Sequence, residues 1–297
     1  KPVLACFMGG TDVTPSRDYM MEKGLADYRS PEKAVNALKA MVSYAEWKKK
    51  PSVESKEIKG DRAAVSAIIG KYRAAGQVQI NESDTKKILR AYGVNTPAGA
   101  LVSSAEEAAK ESAKIGYPIA MKIVSPDIIH KSDVGGVMLH LKTAEAVSQA
   151  YSAMLEKIKT NVPNARITGV YIEKMSNPGS KEVIIGLTRD PQFGPMVMFG
   201  MGGIFVELLK DVKFALAPVS NTEALEMIKQ IKTYPLLSGY RGQKPVAVEA
   251  IADTIARISQ LAIDFPEIKE MDINPFMAFP GAEESAAVDG RMTLTAQ

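Results

Sequence analysis

A single polar residue interrupts the apolar run 119–124, IAMKIV: in an extended chain Ile119, Met121 and Ile123 fall on one side, and Ala120, Lys122 and Val124 on the other. Strand-like runs recur at 136–142 (GVMLHLK), 170–175 (VYIEKM), 182–187 (EVIIGL), 196–200 (MVMFG) and 214–219 (FALAPV). Helical spacing fits about 61–75, 144–159, 221–231 and 246–263. In NESDTKKILRAYGVNTP, Ser83 or Asn81 caps a helix that turns Ile88 and Leu89 inward and closes at Gly93. In SSAEEAAKESAKIGYP, Ser103 and Glu106 form a capping box, and the helix stops at Gly116 before Pro118. Strands and helices in long blocks, without regular βαβ alternation, predict an α+β domain with largely antiparallel sheets.

The front of the chain has a different pattern. Residues 2–8 read as a short buried strand, followed by the Gly9-Gly10 turn and a helix near 15–23 that Gly24 ends. In SPEKAVNALKAMVSYAEW, Ser30 suits a cap and Pro31 the first helical position, and Ala34, Val35, Leu38, Met41, Val42 and Ala45 share one apolar face. This reads as the last part of an open α/β domain. KKKPSVESKEIKGD has charge, Pro, Ser and Gly without apolar periodicity, the composition of a linker. The expected boundaries are therefore a domain over 1–50, a linker over 51–60 and a second domain over 61–297.

Composition narrows the classes of function. A chain of 297 residues is long enough for two cores, and at 46% hydrophobic, 24% charged and net +3 it carries no field that argues for nucleic acid. Cys6 is the single cysteine, which rules out an intrachain disulfide and a cysteine-based zinc site and favours a reducing, cytoplasmic compartment. No stretch is long and apolar enough to cross a bilayer as a helix, so no membrane partner is expected. The chain opens on a strand without a methionine, which suggests a piece of a longer polypeptide.

Several charges interrupt the strands. Lys122, Glu173 and Glu182 each lie in an apolar run, where a solvated sheet face is the plain alternative to a site. Asp272 and Asn274 in EMDINPFMAF project from one face of a strand, and Asp289 in AAVDGRM lies on what reads as the next strand of a hairpin. Such oxygen donors suit Mg²⁺, although Asp and Asn-Pro also make ordinary turns. FGMGGIFVELLKD, with Glu207, Lys210 and Asp211, is a glycine-rich loop entering a strand; it fits neither the Walker A pattern nor GxGxxG, and taken by itself it reads as a tight turn between strands. His130 sits in SPDIIHKSDVGGV, a polar loop where Asp127 or Asp133 could bond it, whereas His140 takes a half-exposed strand position.

Together, YPIAMKIVSPDIIHKSDVGGVMLHL, VYIEKMSNPGSKEVIIGLTRDPQFGPMVMFGMGGIFVELLKDV and MDINPF resemble the nucleotide-binding half of NDP-forming acyl-CoA synthetases, the acetate–CoA ligase (ADP-forming) family of acid–thiol ligases. The resemblance implies a mixed α/β and α+β chain: an ATP-grasp domain from about residue 60, preceded by a partial flavodoxin-like, succinyl-CoA-synthetase-like ligase domain. It implies Lys122 on nucleotide phosphates; Glu173, Lys174 and Met175 lining adenine and ribose; Glu182 and Glu207 on the nucleotide side; and Asp272, Asn274 and Asp289 on Mg²⁺. His130 would be a phosphate carrier, taking a phosphoryl group from another histidine on a CoA-binding domain or subunit and delivering it to ADP, and a loop flanked by Gly135-Gly136 would serve as its arm. The implied cofactors are Mg²⁺ and ATP/ADP, the implied partners phosphate and that CoA-binding part, in a hetero- or homo-oligomer. Two alternatives are a non-catalytic acyl-CoA or nucleotide-sensing module of a protein acetyltransferase and a succinate–CoA ligase beta chain.

Overall fold

The computed structural model describes residues 1–49, 58–128, 131–203 and 209–296. The chain divides into two compact units, Lys1–Glu54 and Ser55–Gln297. In the first, β1 (Ala5–Cys6) pairs in parallel with β2 (Asp27–Tyr28), accompanied by α1 (Thr14–Glu22) and α2 (Pro31–Lys49). Arg17 on α1 pairs with Asp27 on β2. The expected strand over 2–8 is only two residues long, and the apolar face expected on α2 is open: Ala34 is buried, but Val35, Leu38, Met41 and Val42 are exposed. Two strands of two residues each present too little sheet to cover a helix of 19 residues.

The second unit holds two antiparallel sheets. The larger runs in the order β10-β9-β8-β11-β13-β3, with β12 paired to β11. Its strands are β3 (Gln79–Ile80), β8 (Lys181–Asp190), β9 (Gly194–Met201), β10 (Val212–Leu216), β11 (Ile268–Ala278), β12 (Ala286–Ala287) and β13 (Gly290–Leu294). The smaller runs β4-β7-β5-β6, from β4 (Gly99–Val102), β5 (Ile119–Val124), β6 (Val137–Leu141) and β7 (Gly169–Lys174). Helices α3 (Arg62–Ala74), α4 (Glu82–Ala91), α7 (Asn221–Lys229) and α8 (Val248–Asp264) accompany the larger sheet, and α5 (Ala105–Ile115) packs with α6 (Ala144–Asn161) on the smaller one.

Each sheet buries one face. Val183, Ile185 and Leu187 of β8 join Val197, Phe199, Met271, Ile273 and the apolar stripe of α8 in one core. Ile119, Met121 and Ile123 of β5 meet Val170, Ile172, Val147, Met154 and Ile158 in the other. That arrangement sends Lys122 to the opposite face of β5, as the alternation requires. The strand is buried on that face too, so Lys122 does not lie on a solvated surface.

Local details correct the expected caps. Asn81 caps α4, its side chain accepting the Asp84 N–H at 2.8 Å, so Ser83 falls within the first turn. On α5 the cap is Ser104, whose backbone is still extended and whose hydroxyl accepts the Glu107 N–H at 3.1 Å; Ser103 and Glu106 do not form the box. Glu107 instead accepts the N–H and hydroxyl of Ser103, each at 2.8 Å. A reciprocal box does form at Ser220 and Glu223 on α7. In β6 a register shift against β5 puts His140 at φ 62 and leaves both Leu139 and His140 exposed, because a bulge breaks the strict alternation.

Candidate active site

Four elements bring charge together behind the smaller sheet. Lys122, central in β5, lies 2.8 Å from Glu82 Oε1 and 2.7 Å from Glu173 Oε1, and donates to the Val288 carbonyl at 3.2 Å. Glu173 belongs to β7, the neighbour of β5, whereas Glu82 is the first residue of α4. Lys86, one helical turn further along α4, is fully buried; it meets Glu82 Oε1 at 2.9 Å, pairs with Glu173 Oε2, and lies 4.8 Å from the centre of the Tyr171 ring. Lys131 reaches Glu82 Oε2 from the loop after β5.

For Glu82 and Lys122, burial penalises the charged form, yet the partners win. For Glu82, burial works against ionisation, but Lys122, Lys86 and Lys131 hold its carboxyl far below the usual range. For Lys122, burial favours the neutral amine, and Glu82, Glu173 and Asp289 outweigh it and push its pKa up. Lys122 is thus a fixed ammonium rather than a proton donor.

This cluster opens on a cavity of about 1180 Å³ whose wall draws on both sheets and includes Glu82, Lys131, Gly186, Asp272, Asp289 and Arg291. Asp272 stands opposite Arg291 in the β11–β13 pair, and the Asn274 N–H donates to the Asp289 carbonyl at 3.2 Å, so the hairpin brings these three donor residues side by side. Asp272 and Asn274 stay within β11, where a register irregularity between Ile273 and Phe276 takes the place of the turn that Asn-Pro could have made. Burial raises the Asp272 pKa, against Arg291 and with the charge of Asp289 adding to the rise. Asp289 Oδ1 is buried with no hydrogen-bond partner among the described residues. Two adjacent carboxylates, one with an orphaned oxygen, fit a hard divalent cation.

The remaining expected residues lie elsewhere. Glu173 is buried between Lys86 and Lys122, so its carboxylate serves the lysines and is not part of the cavity wall. Lys174 donates to the Tyr117 carbonyl, and Met175 Sδ accepts the His140 N–H at 3.0 Å, which ties the end of β7 to β6. Glu182 is exposed at the start of β8, and its carbonyl accepts the Gly202 N–H at 2.8 Å, which places it beside the glycine-rich segment. His130 and Glu207 lie outside the described residues. Asp211 is structural: it accepts the N–H groups of Lys232 and Thr233 at 3.0 and 2.8 Å and the Thr233 hydroxyl at 2.7 Å. Gly135 has φ 78, and a Cβ on Gly136 would press into Ile123 and meet the Lys131 carbonyl at 3.0 Å, so a turn and close packing account for both glycines. Sequence reasoning missed Glu82, Lys86 and Lys131. The available signal was three charged residues in the first turn and a half of a helix with few apolar positions to bury.

The ATP-grasp domain family matches residues 71–294. The acetate–CoA ligase (ADP-forming) I beta subunit of Pyrococcus furiosus is 49% identical over 235 residues, covering 79% of this chain and 100% of that one. The acetate–CoA ligase (ADP-forming) I of Archaeoglobus fulgidus is 40% identical over 295 residues, 99% of this chain but 42% of that protein, so the chain spans about two fifths of that relative's length. A solved structure from Ca. Korarchaeum cryptofilum, a dinucleotide forming acetyl-coenzyme A synthetase 1 with coenzyme A, Ca-AMPCP and HgCl+, has 45% identity and a TM-score of 0.74 over 77% of this chain and 99% of that one. A second structure of that protein, with coenzyme A and Mg-AMPPCP and its phosphohistidine segment pointing towards the nucleotide binding site, has 41% identity and a TM-score of 0.69 over 78% and 100%. Among the described residues no helix is long and apolar enough to cross a membrane. The chain belongs to the ATP-grasp family and, within it, to the ADP-forming acetate–CoA ligases that include the Pyrococcus beta subunit.

Proposed function

We propose that this chain is the nucleotide-binding portion of an ADP-forming acetyl-CoA or other acyl-CoA synthetase, working in acyl-CoA + ADP + phosphate ⇌ acid + CoA + ATP. Its own step is phosphoryl transfer between His130 and ADP: the bond from phosphorus to an imidazole nitrogen breaks as one to a β-phosphate oxygen of ADP forms. The observation that carries this reading is Lys122, a permanently charged ammonium set between Glu82 and Glu173, with Asp289 close enough to act on it.

Phosphoryl transfer asks a protein mainly for position and positive charge. Lys122 supplies the charge, the cavity between the sheets the room, and the hairpin of Asp272, Asn274 and Asp289 the donors for Mg²⁺, which when bound neutralises phosphate oxygens. The Korarchaeum protein, solved with Mg-AMPPCP and with a phosphohistidine segment directed at its nucleotide site, supports the same roles here. A CoA-binding domain or subunit carrying the primary phosphohistidine completes the reaction. The test is ATP formation from acetyl-CoA, ADP and phosphate by the chain combined with such a partner. Asp272→Ala should abolish it, and full turnover in that variant would contradict the metal assignment.

A further inference from the structure

Lysine has a long side chain that gains nothing from staying in one rotamer unless something holds its end. At this site one carboxylate holds three such ends. Glu82 Oε1 lies 2.8 Å from Lys122 and 2.9 Å from Lys86, and Glu82 Oε2 pairs with Lys131. The Glu82 side chain is 3% exposed, and it sits at the N-terminus of α4, where the helix dipole also favours an anion. Glu82 and Lys131 line the cavity, whereas Lys122 and the entirely buried Lys86 stand behind its wall.

We infer that Glu82 is a positioning residue that seats Lys122 and Lys131 as a pair of ammonium groups on one carboxylate, with Lys86 bracing it from behind, so that Lys131 on the cavity wall and Lys122 buried just behind Glu82 present their joint positive charge to a phosphate anion in the cavity. The inference rests on the nucleotide reading above. Three lysines face two glutamates, Glu82 and Glu173, which leaves one positive charge over, and Asp289 is the next acid to act on Lys122. A divalent cation on Asp289 would withdraw that last anion from the lysines and leave the excess charge for phosphate.

A simpler role for Glu82 gives the opposite sign. If it only neutralised the lysines, removing its charge would free them and tighten phosphate binding. As a seat, it must weaken binding when removed, because neither lysine then keeps its place. The test is calorimetric titration of the full chain with Mg-ADP, accompanied by circular dichroism and thermal melts. Glu82→Gln, which retains one acceptor oxygen but not the charge, should weaken binding at least about tenfold while melting stays cooperative. Glu82→Asp should restore part of the loss.

Lys131→Met, at a partly exposed side chain, should weaken binding as well, and combining it with Glu82→Gln should add little, since both remove one unit. Unchanged or tighter binding in Glu82→Gln, or fully additive losses, would overturn the inference. Should Glu82→Gln fail to fold, Lys131→Met with wild-type affinity overturns it alone. Wild-type chain that binds no Mg-ADP overturns the nucleotide reading and the inference together. Binding that is lost in Lys122→Met but kept in Glu82→Gln and Lys131→Met overturns only the inference.

Discussion

Lys122 Nζ and Glu82 Oε1 lie 2.8 Å apart and join the middle of β5 to the first turn of α4, two elements separated by 40 positions in the chain. The contact is buried on both sides, with side-chain exposures of 9% and 3%. Breaking a buried ion pair from one side is costly, because the remaining charge keeps its desolvation penalty without its partner. Lys122→Met should therefore lower stability by about 3 kcal/mol as well as remove Mg-ADP binding. Chemical denaturation and calorimetry on the same samples check both effects.

Acid should reach this cluster late. The folded-state pKa of Glu82 is depressed, so its contribution to stability is fully present above the unfolded glutamate value of about 4.3 and is lost as pH falls from there towards the folded value. Denaturation curves between pH 6 and 2 should fall less steeply for Glu82→Gln than for the wild type. Parallel curves would show that Glu82 is not ionised by its lysines in the folded state.

Much of this fold could be read from the sequence, and the reason is local. β5 is legible at its full extent because six consecutive strand-compatible residues, five of them apolar, are bounded by Pro118 and Ser125-Pro126, and the strand is buried on both faces. β6 was found too, but its bulge at Leu139 and His140 was not, since a bulge depends on the register with a partner strand. The pairing of Asp272 with the Asp289 segment was legible in outline, although Asp289 lies just before β13 rather than on the strand that follows β11. The lysine–glutamate cluster was legible only in part: Lys122 and Glu173 stand out as charges within apolar strands, but Glu82 and Lys86 read as ordinary helix charges until ion pairs join the first turn of α4 to β5 and β7.

Asp272 should show a trade of stability against metal binding. Burial raises its pKa, so above the unfolded aspartate value of about 3.9 the ionised carboxylate destabilises the metal-free fold, and the penalty disappears only as pH falls below that range. At pH 7 without metal, Asp272→Asn should melt higher than the wild type. Added Mg²⁺ should raise the wild-type melting temperature and leave the variant unmoved. A lower-melting Asp272→Asn that still responds to Mg²⁺ would contradict both parts.

The loop between β5 and β6 is braced at its start by Asp127, which accepts the Arg166 N–H and Nε at 2.8 and 3.0 Å and its terminal nitrogen at 2.7 Å. Hydrogen bonds from Arg166 hold the Asp127 carboxyl at about 2, so the brace persists through the physiological range and releases only in strong acid. Being solvent-exposed, the pair should matter little to stability. Arg166→Ala should leave the melting temperature almost unchanged and slow phosphoryl transfer several-fold, measured as single-turnover labelling.

At the far end of the same loop, Gly136 is closed in by Ile123 and the Lys131 carbonyl, neither of which can move aside cheaply. Gly136→Ala should destabilise the chain by about 1–3 kcal/mol, as overpacking does. Gly135→Ala meets only the flexible end of Lys157, although its φ of 78 adds backbone strain. Thermal melts of the two variants should thus separate packing from strain, and a Gly136→Ala variant as stable as the wild type would restore the view of this glycine as a hinge.

The central claim is that a phosphoryl group passes through His130, and it is tested most directly by incubating the chain with γ-labelled ATP and Mg²⁺ and measuring acid-labile, alkali-stable label. Wild type and His140→Ala should both carry label, and His130→Ala should carry none. Equal label in His130→Ala, or no label in wild type even with the CoA-binding partner added and Mg-nucleotide binding demonstrated, would contradict it.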